Sequence, residues 1–533
     1  MSEFLWWRDG VIYQIYPRSF MDSNNDGIGD LPGITQKLDY LQDLGVDAVW
    51  LSPVYTSPDV DFGYDVANYR EIDPKFGGMP AFDNFLNEAH RRNIRVIMDL
   101  VLNHTSDQHE WFQQSKSSKN NPFRDWYIWK KATDGGKPPN NWKSRFGGSG
   151  WEWDSKTEEY YFHMFFKQQP DLNWRNPKVF NEILEMIKFW LDKGVDGFRL
   201  DVFNAFFKDI NFTDNPYKIG LTKFDQQKHI YDADQPEMFD FLQKFRKMLD
   251  SYPKRYSVGE TFMGDEHTAA KYVGDQALHA AFEFSFINNR YKPSAFYKSI
   301  EKWENALEEI GWPSYFLNNH DDPRSATRHT RSEDDERLKV LATLLLTVRG
   351  TPFLYYGEEI GMRDIPISRK SDVLDPVGRH FWPFYKGRDG CRSPMQWNSE
   401  QFAGFSDHQP WLPVHANHNW RNVASQQADQ NSLLNFYKKL IRIRKLTPAL
   451  QKGMYLPITY EPRKILAYVR QTPEQTALIA LNFSKKNVGL VLSSKLLGAD
   501  WKLLISNKRE TFPEIRDRKI MLEGDEALII IQG

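Results

Sequence analysis

The chain has 533 residues, 40% hydrophobic and 26% charged, the mix of a globular protein with a sizeable core. Its 69 Lys and Arg nearly balance 71 Asp and Glu, and a net charge of −2 argues against a nucleic-acid partner or attachment to a membrane surface. The single cysteine, Cys391, rules out a disulfide framework and predicts a reducing, cytoplasmic setting; no apolar run is long enough to span a membrane, and the opening MSEFLWWRDG lacks the pattern of a secretory signal.

Short β-rich runs alternate with helical patterns along most of the chain. Strands are expected at 10–17, 46–54, 94–101, 195–202, 255–260, 278–286, 313–320 and 350–357. Most are near-continuous apolar runs, as in parallel strands buried on both faces. The clearest helix spans 177–193. Asn176 is its expected N-cap, Pro177 takes the first helical position, and Gly194 is its stop. Val179, Phe180, Ile183, Leu184, Ile187, Trp190 and Leu191 share one face. Eight strands with intervening helices read as an α/β protein of the (β/α)8 TIM-barrel class.

Two interruptions and a change of period complete the plan. Residues 104–172 are too long for a connection and read as a small inserted domain after strand 3, splitting the barrel into 1–103 and 173–453. Residues 363–415 form an irregular, Pro- and Trp-rich subdomain, and a helix at 431–446 closes the barrel. From 454 to 533 the pattern turns to short alternating strands, expected as a C-terminal antiparallel β-sandwich that stabilises the barrel.

In such barrels the chemistry sits at the C-terminal ends of the strands. Strand two leads to Asp61, Tyr64 and Asp65, and strand three to Asp99, Asn103 and His104; strand four ends at Arg199 and Asp201, strand five at Glu260, and strand seven at His320 and Asp321. A lone Asp after a strand is usually a helix cap, but carboxylates from five strands interleaved with Arg and His cannot all be caps. There is no Cys/His cluster and no phosphate-cradling GxxxxGK[ST]. Paired carboxylates are what glycosidic bond cleavage needs: one attacks, the other arrives protonated and releases the leaving oxygen. Arg199 lies two residues before Asp201, on the same strand face, and holds it ionised as the nucleophile. Glu260, with no basic neighbour in VGETF, is the expected acid/base.

DLVLNH (99–104), GFRLDV (197–202), VGET (258–261) and NNHD (318–321) resemble the four signature regions of the α-amylase family, glycoside hydrolase family 13, in family order. QPDLNW (169–174), GYD (63–65), YYGEEIG (355–361) and GRDGCRSPMQW (387–397) resemble its oligo-1,6-glucosidase and bacterial α-glucosidase branch. The resemblance covers essentially the whole chain. It implies a retaining double displacement with Asp201 as nucleophile, Glu260 as acid/base and Asp321 as a third carboxylate that grips the sugar hydroxyls. It further implies that Asp61, Tyr64, His104, Arg199, His320 and Arg388 hold the nonreducing glucose. Asp61 paired with Arg388 would close the 4-hydroxyl end, leaving a pocket that permits only exo attack. Phe146, Phe165 and Gln169 would line its mouth. The substrate is then a short oligosaccharide or disaccharide, handled without an organic cofactor by a monomer or weak homodimer.

Linkage preference rests on Val202, because valine after the nucleophile goes with α-1,6 specificity in this branch and threonine with α-1,4. A buried strand would also choose a β-branched residue there. The stretch 375–397 looks more like bacterial α-glucosidases that include α-1,4-specific members. The reading leans to α-1,6 or mixed linkages. An α-1,4-specific enzyme, or a glucosyl transferase or isomerase acting on sucrose, is the alternative. An inactive relative is disfavoured because all three acids are present.

DSNNDGIGD (22–30) places Asp22, Asn24, Asp26, the Ile28 carbonyl and Asp30 at alternate positions, with Gly27 for the sharp turn. This follows an EF-hand loop for nine positions, but Gly33 stands where the twelfth-position Glu would be. One structural Ca²⁺ or Mg²⁺ site is expected, since relatives carry one in this loop. An Asx-rich turn without metal is the competing interpretation.

Overall fold

The computed structural model describes residues 4–282, 284–308, 311–459, 462–497 and 500–533. Glu283, inside the strand expected at 278–286, and the first three residues of the opening segment lie outside the described residues. Eight parallel strands form the central sheet: β1 (Ile12–Ile15), β2 (Ala48–Leu51), β3 (Arg95–Leu100), β4 (Gly197–Leu200), β5 (Tyr256–Glu260), β6 (Ala280–Phe282), β7 (Ser314–Phe316) and β8 (Thr351–Tyr355). They are ordered β6-β5-β4-β3-β2-β1-β8-β7, a nearly closed barrel. At the seam the Ser314 hydroxyl on β7 donates to the Ala281 carbonyl on β6 at 2.7 Å.

Alternation along each strand builds two apolar layers. Ile12, Ala48, Trp50, Ile97, Val258, Phe282, Phe316 and Phe353 fill the barrel interior, and the opposite faces pack under the helices. The helix Pro177–Lys193 forms as its signals predict: the Asn176 side chain accepts from the Lys178 amide, and Gly194 ends it at φ 105°. Its buried face includes Met186 as well, while Phe180 and Leu184 are only partly buried at its margin.

The expected fourth strand is shorter than its apolar run. It ends at Leu200, and Val202 adopts φ 36°, ψ 38°. Val202 is therefore not a strand residue chosen for β propensity. A β-branched side chain in the left-handed region is strained by about 1–3 kcal/mol. The Ala205 amide donates to the Val202 carbonyl at 3.0 Å, so this backbone turns the chain from β4 into the helical turn Phe203–Ala205.

Between β3 and β4 a three-stranded sheet, Trp129–Lys130, Glu159–Phe162 and Trp151–Asp154, rises from the C-terminal rim. The bridge His104↔Asp171 ties its entry to its exit. The Lys208 ammonium, 1% exposed, reaches Asp171 at 2.9 Å and Asn103 at 3.0 Å, fastening this insertion to the barrel.

The C-terminal region pairs strands antiparallel throughout. β9 (Met454–Pro457), β10 (Ile465–Gln471), β11 (Thr476–Asn482), β13 (Lys502–Ser506) and β16 (Ala527–Gln532) form one sheet, ordered β9-β10-β11-β16-β13. β12 (Val488–Val491), β14 (Ile515–Arg516) and β15 (Lys519–Leu522) form a second. Ala467, Leu478, Ala480 and Ile530 of the first sheet share a core with Leu490, Ile520 and Leu522 of the second, a two-layer β domain. The buried Arg470 donates to the carbonyls of Thr347 (2.7 Å) and Gly453, which docks this domain on the barrel.

Candidate active site

Strand register creates the centre of the site. Arg199 pairs in register with Asp99 on β3 and Val258 on β5, so its side chain enters the barrel mouth between the two strands. Its Nη1 donates to Asp99 at 2.8 Å and to Asp201 at 2.6 Å, and its Nη2 donates to Glu260. One guanidinium thus serves three carboxyl groups. The sequence expectation that Glu260 stands apart from any cation is corrected here. Two positions beyond Val258, Glu260 points to the same barrel face as Arg199, an adjacency across strands that VGETF cannot reveal.

The proton inventory follows from this shortage of positive charge. Burial raises Asp201 to about 6 despite Arg199, with Asp99 adding to the rise. Burial raises Glu260 further, to about 8, with Asp201 and Asp321 adding to the effect and Arg199 opposing it. Asp201 and Glu260 also share a side-chain hydrogen bond. The two groups are therefore pushed apart in acidity, with Asp201 losing its proton first and Glu260 keeping its own near neutrality.

Asp321 behaves oppositely. Burial would raise it, but the guanidiniums of Arg388, Arg392 and Arg199 help hold it well below the usual carboxylate range. Arg392 Nη2 donates to it at 2.8 Å, and Arg388 Nη1 lies 3.5 Å away. Its side chain is 37% exposed, against 10% for Asp201 and 15% for Glu260, so it is the most accessible of the three.

The remaining side chains form a wall. Arg388 Nη2 reaches Asp61 at 2.7 Å while Nε holds Asp375 at 2.9 Å. Gln169 donates toward Asp61 and the Tyr64 carbonyl, both at 3.2 Å, and lies 3.1 Å from His104 Nε2. Tyr64 stacks on His320 at 5.3 Å, its hydroxyl 2.6 Å from His320 Nε2 and 3.1 Å from Asp99. The Gln14 amide donates to His320 Nδ1 at 2.8 Å, which assigns the proton to Nε2. Burial lowers His320 to about 3 and also lowers His104, so both rings are neutral hydrogen-bonding groups. Phe165 lies 5.2 Å from His104 and 5.4 Å from Phe146, and Phe146 faces the Arg388 guanidinium at 5.8 Å. Val202 packs in the same apolar cluster as Phe165, Ala205 and Phe146.

All thirteen residues expected at the sugar site thus occur in one connected constellation. Four further groups were given no role from sequence. Asp99 was noted only as a strand end; Gln14 sets the His320 tautomer; Asp375 and Arg392 anchor Arg388 and Asp321. Arg392 sits inside GRDGCRSPMQW, so only a motif hinted at it. Gln14 and Asp375 carry no local signal, because their partners lie 306 and 13 residues away.

The chain matches the family model described as the α-amylase catalytic domain over residues 14–453 and that of the maltogenic amylase C-terminal domain over 458–528. It belongs to the α-amylase family. Among curated relatives it is 42% identical over 510 residues to a probable α-glucosidase of Rhizobium meliloti (strain 1021), covering 92% of each chain. It is 42% identical over 555 residues to an oligo-1,6-glucosidase of Parageobacillus thermoglucosidasius, covering 97% of this chain and 98% of the relative. Among solved structures, the α-glucosyl transfer enzyme XgtA superposes with a TM-score of 0.93 at 39% identity over all of both chains. As an α-amylase family member the chain is a glycoside hydrolase by kinship.

The loop 22–30 lies apart from this constellation. Asp22 accepts from the amides of Asn24, Asn25 and Gly27 and from the Ser406 hydroxyl. Asp30 accepts from Ser23 and from Gly33, capping the helix Leu31–Gln36. Gly27 has φ 86°, and a Cβ there would collide with the Gln409 carbonyl. Asp22 and Asp30 are each 2% exposed, and neither forms an ion pair with a basic side chain among the described residues. Burial raises Asp30, with Asp22 adding to the rise. Among the described residues no group of three or more His, Cys, Asp or Glu side chains is arranged to hold a metal. Asn24 Oδ1 accepts from the Asp26 amide at 3.0 Å and Asp26 Oδ1 from the Ile28 amide at 2.8 Å.

Proposed function

We propose that this chain is a retaining, exo-acting α-glucosidase that releases glucose from the nonreducing end of short α-glucosides, leaning to α-1,6 or mixed linkages. The observation that carries this reading is the Arg199-linked pair Asp201 and Glu260 beside a wall closed by the 2.7 Å contact of Arg388 with Asp61. Asp201 attacks the anomeric carbon, and Glu260 passes its proton to the leaving oxygen. Ionised Glu260 then takes a proton from water, which displaces Asp201 and restores the anomeric configuration. Asp321, kept ionised by Arg388 and Arg392, accepts hydrogen bonds from sugar hydroxyls, and these bonds strengthen as the ring flattens. The names of the relatives support this substrate class. Initial rates on isomaltose, maltose, sucrose and trehalose, with products resolved by chromatography, test it. Glucose as the first major product is the expected result. Conversion of sucrose to an isomeric disaccharide would favour the second reading, transfer of the glucosyl group to a sugar acceptor. The likeness to an α-glucosyl transfer enzyme is what supports that alternative.

The acidity order sets the pH profile. Asp201 must be ionised and Glu260 protonated in the free enzyme, so kcat/KM is bell-shaped with limbs near about 6 and about 8. The same raised pKa of Glu260 lowers stability as pH rises. The folded state holds a proton that the unfolded carboxyl releases near its ordinary value, so this contribution is present at low pH and lost through about 8. A profile lacking the alkaline limb would remove Glu260 as the acid.

Val202 supports the linkage reading through its place in the Phe165–Phe146 cluster directly after Asp201. Val202→Thr shifts the ratio of kcat/KM for isomaltose over maltose toward maltose, because a hydroxyl replaces a methyl at the mouth of the pocket. An unchanged ratio counts against it.

A single Ca²⁺ or Mg²⁺ held by Asp22, Asn24, Asp26, the Ile28 carbonyl and Asp30 is proposed as a structural ion. Two buried carboxylates without basic partners and the oxygen donor set fit a hard cation. Thermal unfolding with added calcium, against chelator, is expected to show a higher Tm with the metal, a difference that Asp22→Ala abolishes. Equal midpoints leave the loop an Asx-rich turn. A cytoplasmic, monomeric or weakly dimeric enzyme is proposed with it. The buried lone Cys391 suits a reducing compartment, and no helix among the described residues is long and apolar enough to cross a membrane.

A further inference from the structure

A cavity lies away from the proposed sugar site, where the barrel meets the C-terminal domain. It measures about 550 Å³ and is bounded by the segment after β6, the end of the helix Ser325–His329 with the turn that follows, and the β-domain loop carrying Lys485. That volume is within the usual range for small-molecule sites. Five cationic side chains line it, Arg290, Arg328, Arg331, Arg337 and Lys485, against one carboxylate, Asp334. Such a concentration is unexpected in a chain whose net charge is −2.

Two of the five are spent on structure. Arg337 lies 3.7 Å from Asp525, and Arg328 donates to the carbonyls of Pro323 (2.8 Å), Ile287 and Leu317. These contacts make a fixed wall, and Tyr291 continues it, packing at a tilt against Phe483 at 4.8 Å and donating to Asp525 at 3.0 Å. The other three, Arg290, Arg331 and Lys485, are exposed and form no ion pair among the described residues. His329 also lines the cavity, is 6% exposed, and its Nε2 has no hydrogen-bond partner. Unspent cations around a polar, roomy cleft are an arrangement for a multiply charged anion. Guanidinium forks match tetrahedral oxyanions better than a monatomic ion.

We propose that this cleft binds a phosphorylated small molecule, its phosphate dianion held by Arg290, Arg331 and Lys485 and its organic body resting against Tyr291. Nothing in the glucosidase chemistry uses these residues, so the site stands independently of the hydrolytic reading. A phosphomonoester and free orthophosphate share this chemistry and differ in what they offer Tyr291.

Calorimetric titration of the full chain with glucose 6-phosphate, orthophosphate, glucose and sodium chloride at matched ionic strength tests the proposal. The phosphate compounds are expected to bind where chloride does not. Arg290→Glu combined with Lys485→Glu is expected to weaken that binding at least about tenfold, since each reversal replaces an attraction with a repulsion. Both positions are exposed, so Tm and hydrolytic rate stay unchanged and report an intact fold. Tighter binding of glucose 6-phosphate identifies a phosphomonoester site, and equal binding identifies free phosphate as sufficient. Phosphate heats no larger than those of chloride, or equal binding by the double variant, overturn it.

Discussion

Asp201→Asn abolishes turnover of isomaltose and maltose while leaving the chain folded. Asparagine keeps the size of the side chain and an oxygen for the Arg199 Nη1 hydrogen bond, which is 2.6 Å long in the wild type. What disappears is the only group at this position able to bond covalently to the anomeric carbon. Loss of a covalent nucleophile should lower kcat/KM at least about a thousandfold, near 4 kcal/mol at 1.36 kcal/mol per decade. The substitution has a second effect. With one negative charge fewer, Glu260 loses a cause of its raised pKa and ionises at lower pH. Any residual activity should therefore show an alkaline limb displaced toward acid. Circular dichroism and Tm report the fold, and kcat/KM on both disaccharides reports the chemistry. More than about one per cent of wild-type activity would contradict the assignment.

Glu260→Gln separates the two halves of the reaction. A disaccharide leaves as an alkoxide unless it receives a proton, so its cleavage should fall about a hundred- to ten-thousandfold. An aryl glucoside or glucosyl fluoride needs no such proton, and its first step should persist. Release of the glucosyl group from Asp201 then becomes slow, because no base activates water. The glucosyl-enzyme accumulates, visible as a covalent mass increase of one glucosyl unit, and azide, which needs no base, restores turnover. The alkaline limb of the pH profile, set near about 8 by Glu260, disappears with the side chain. Equal losses for disaccharide and aryl glucoside, with no azide rescue, would assign the proton transfers to another group.

Both experiments act on an arrangement that neither residue makes alone. Burial of three carboxyl groups around the single Arg199 guanidinium keeps a proton in the site. Asp321 escapes it because Arg388 and Arg392 arrive from the loop after β8. Asp201 and Glu260, raised by burial around one shared guanidinium, are thus separated electrostatically from Asp321, which has two arginines of its own.

Much of this was legible in the linear chain. Eight apolar runs in register with helical stretches dictate the barrel, since parallel strands buried on both faces can be written in few other ways. Asn176, Pro177 and Gly194 bound their helix because capping is a local hydrogen-bonding problem. The spacing of Arg199 and Asp201 places both on one strand face for the same local reason. What tertiary structure alone decided was contact across strands and loops: the Arg199–Glu260 pair, the Gln14 hydrogen bond that sets the His320 tautomer, the Asp375 anchor of Arg388, and the left-handed turn at Val202. Side-chain chemistry and periodicity are properties of neighbours in sequence. Acidity, the Arg388–Asp61 contact and backbone strain depend on which distant groups share a desolvated space, and folding alone brings those groups together.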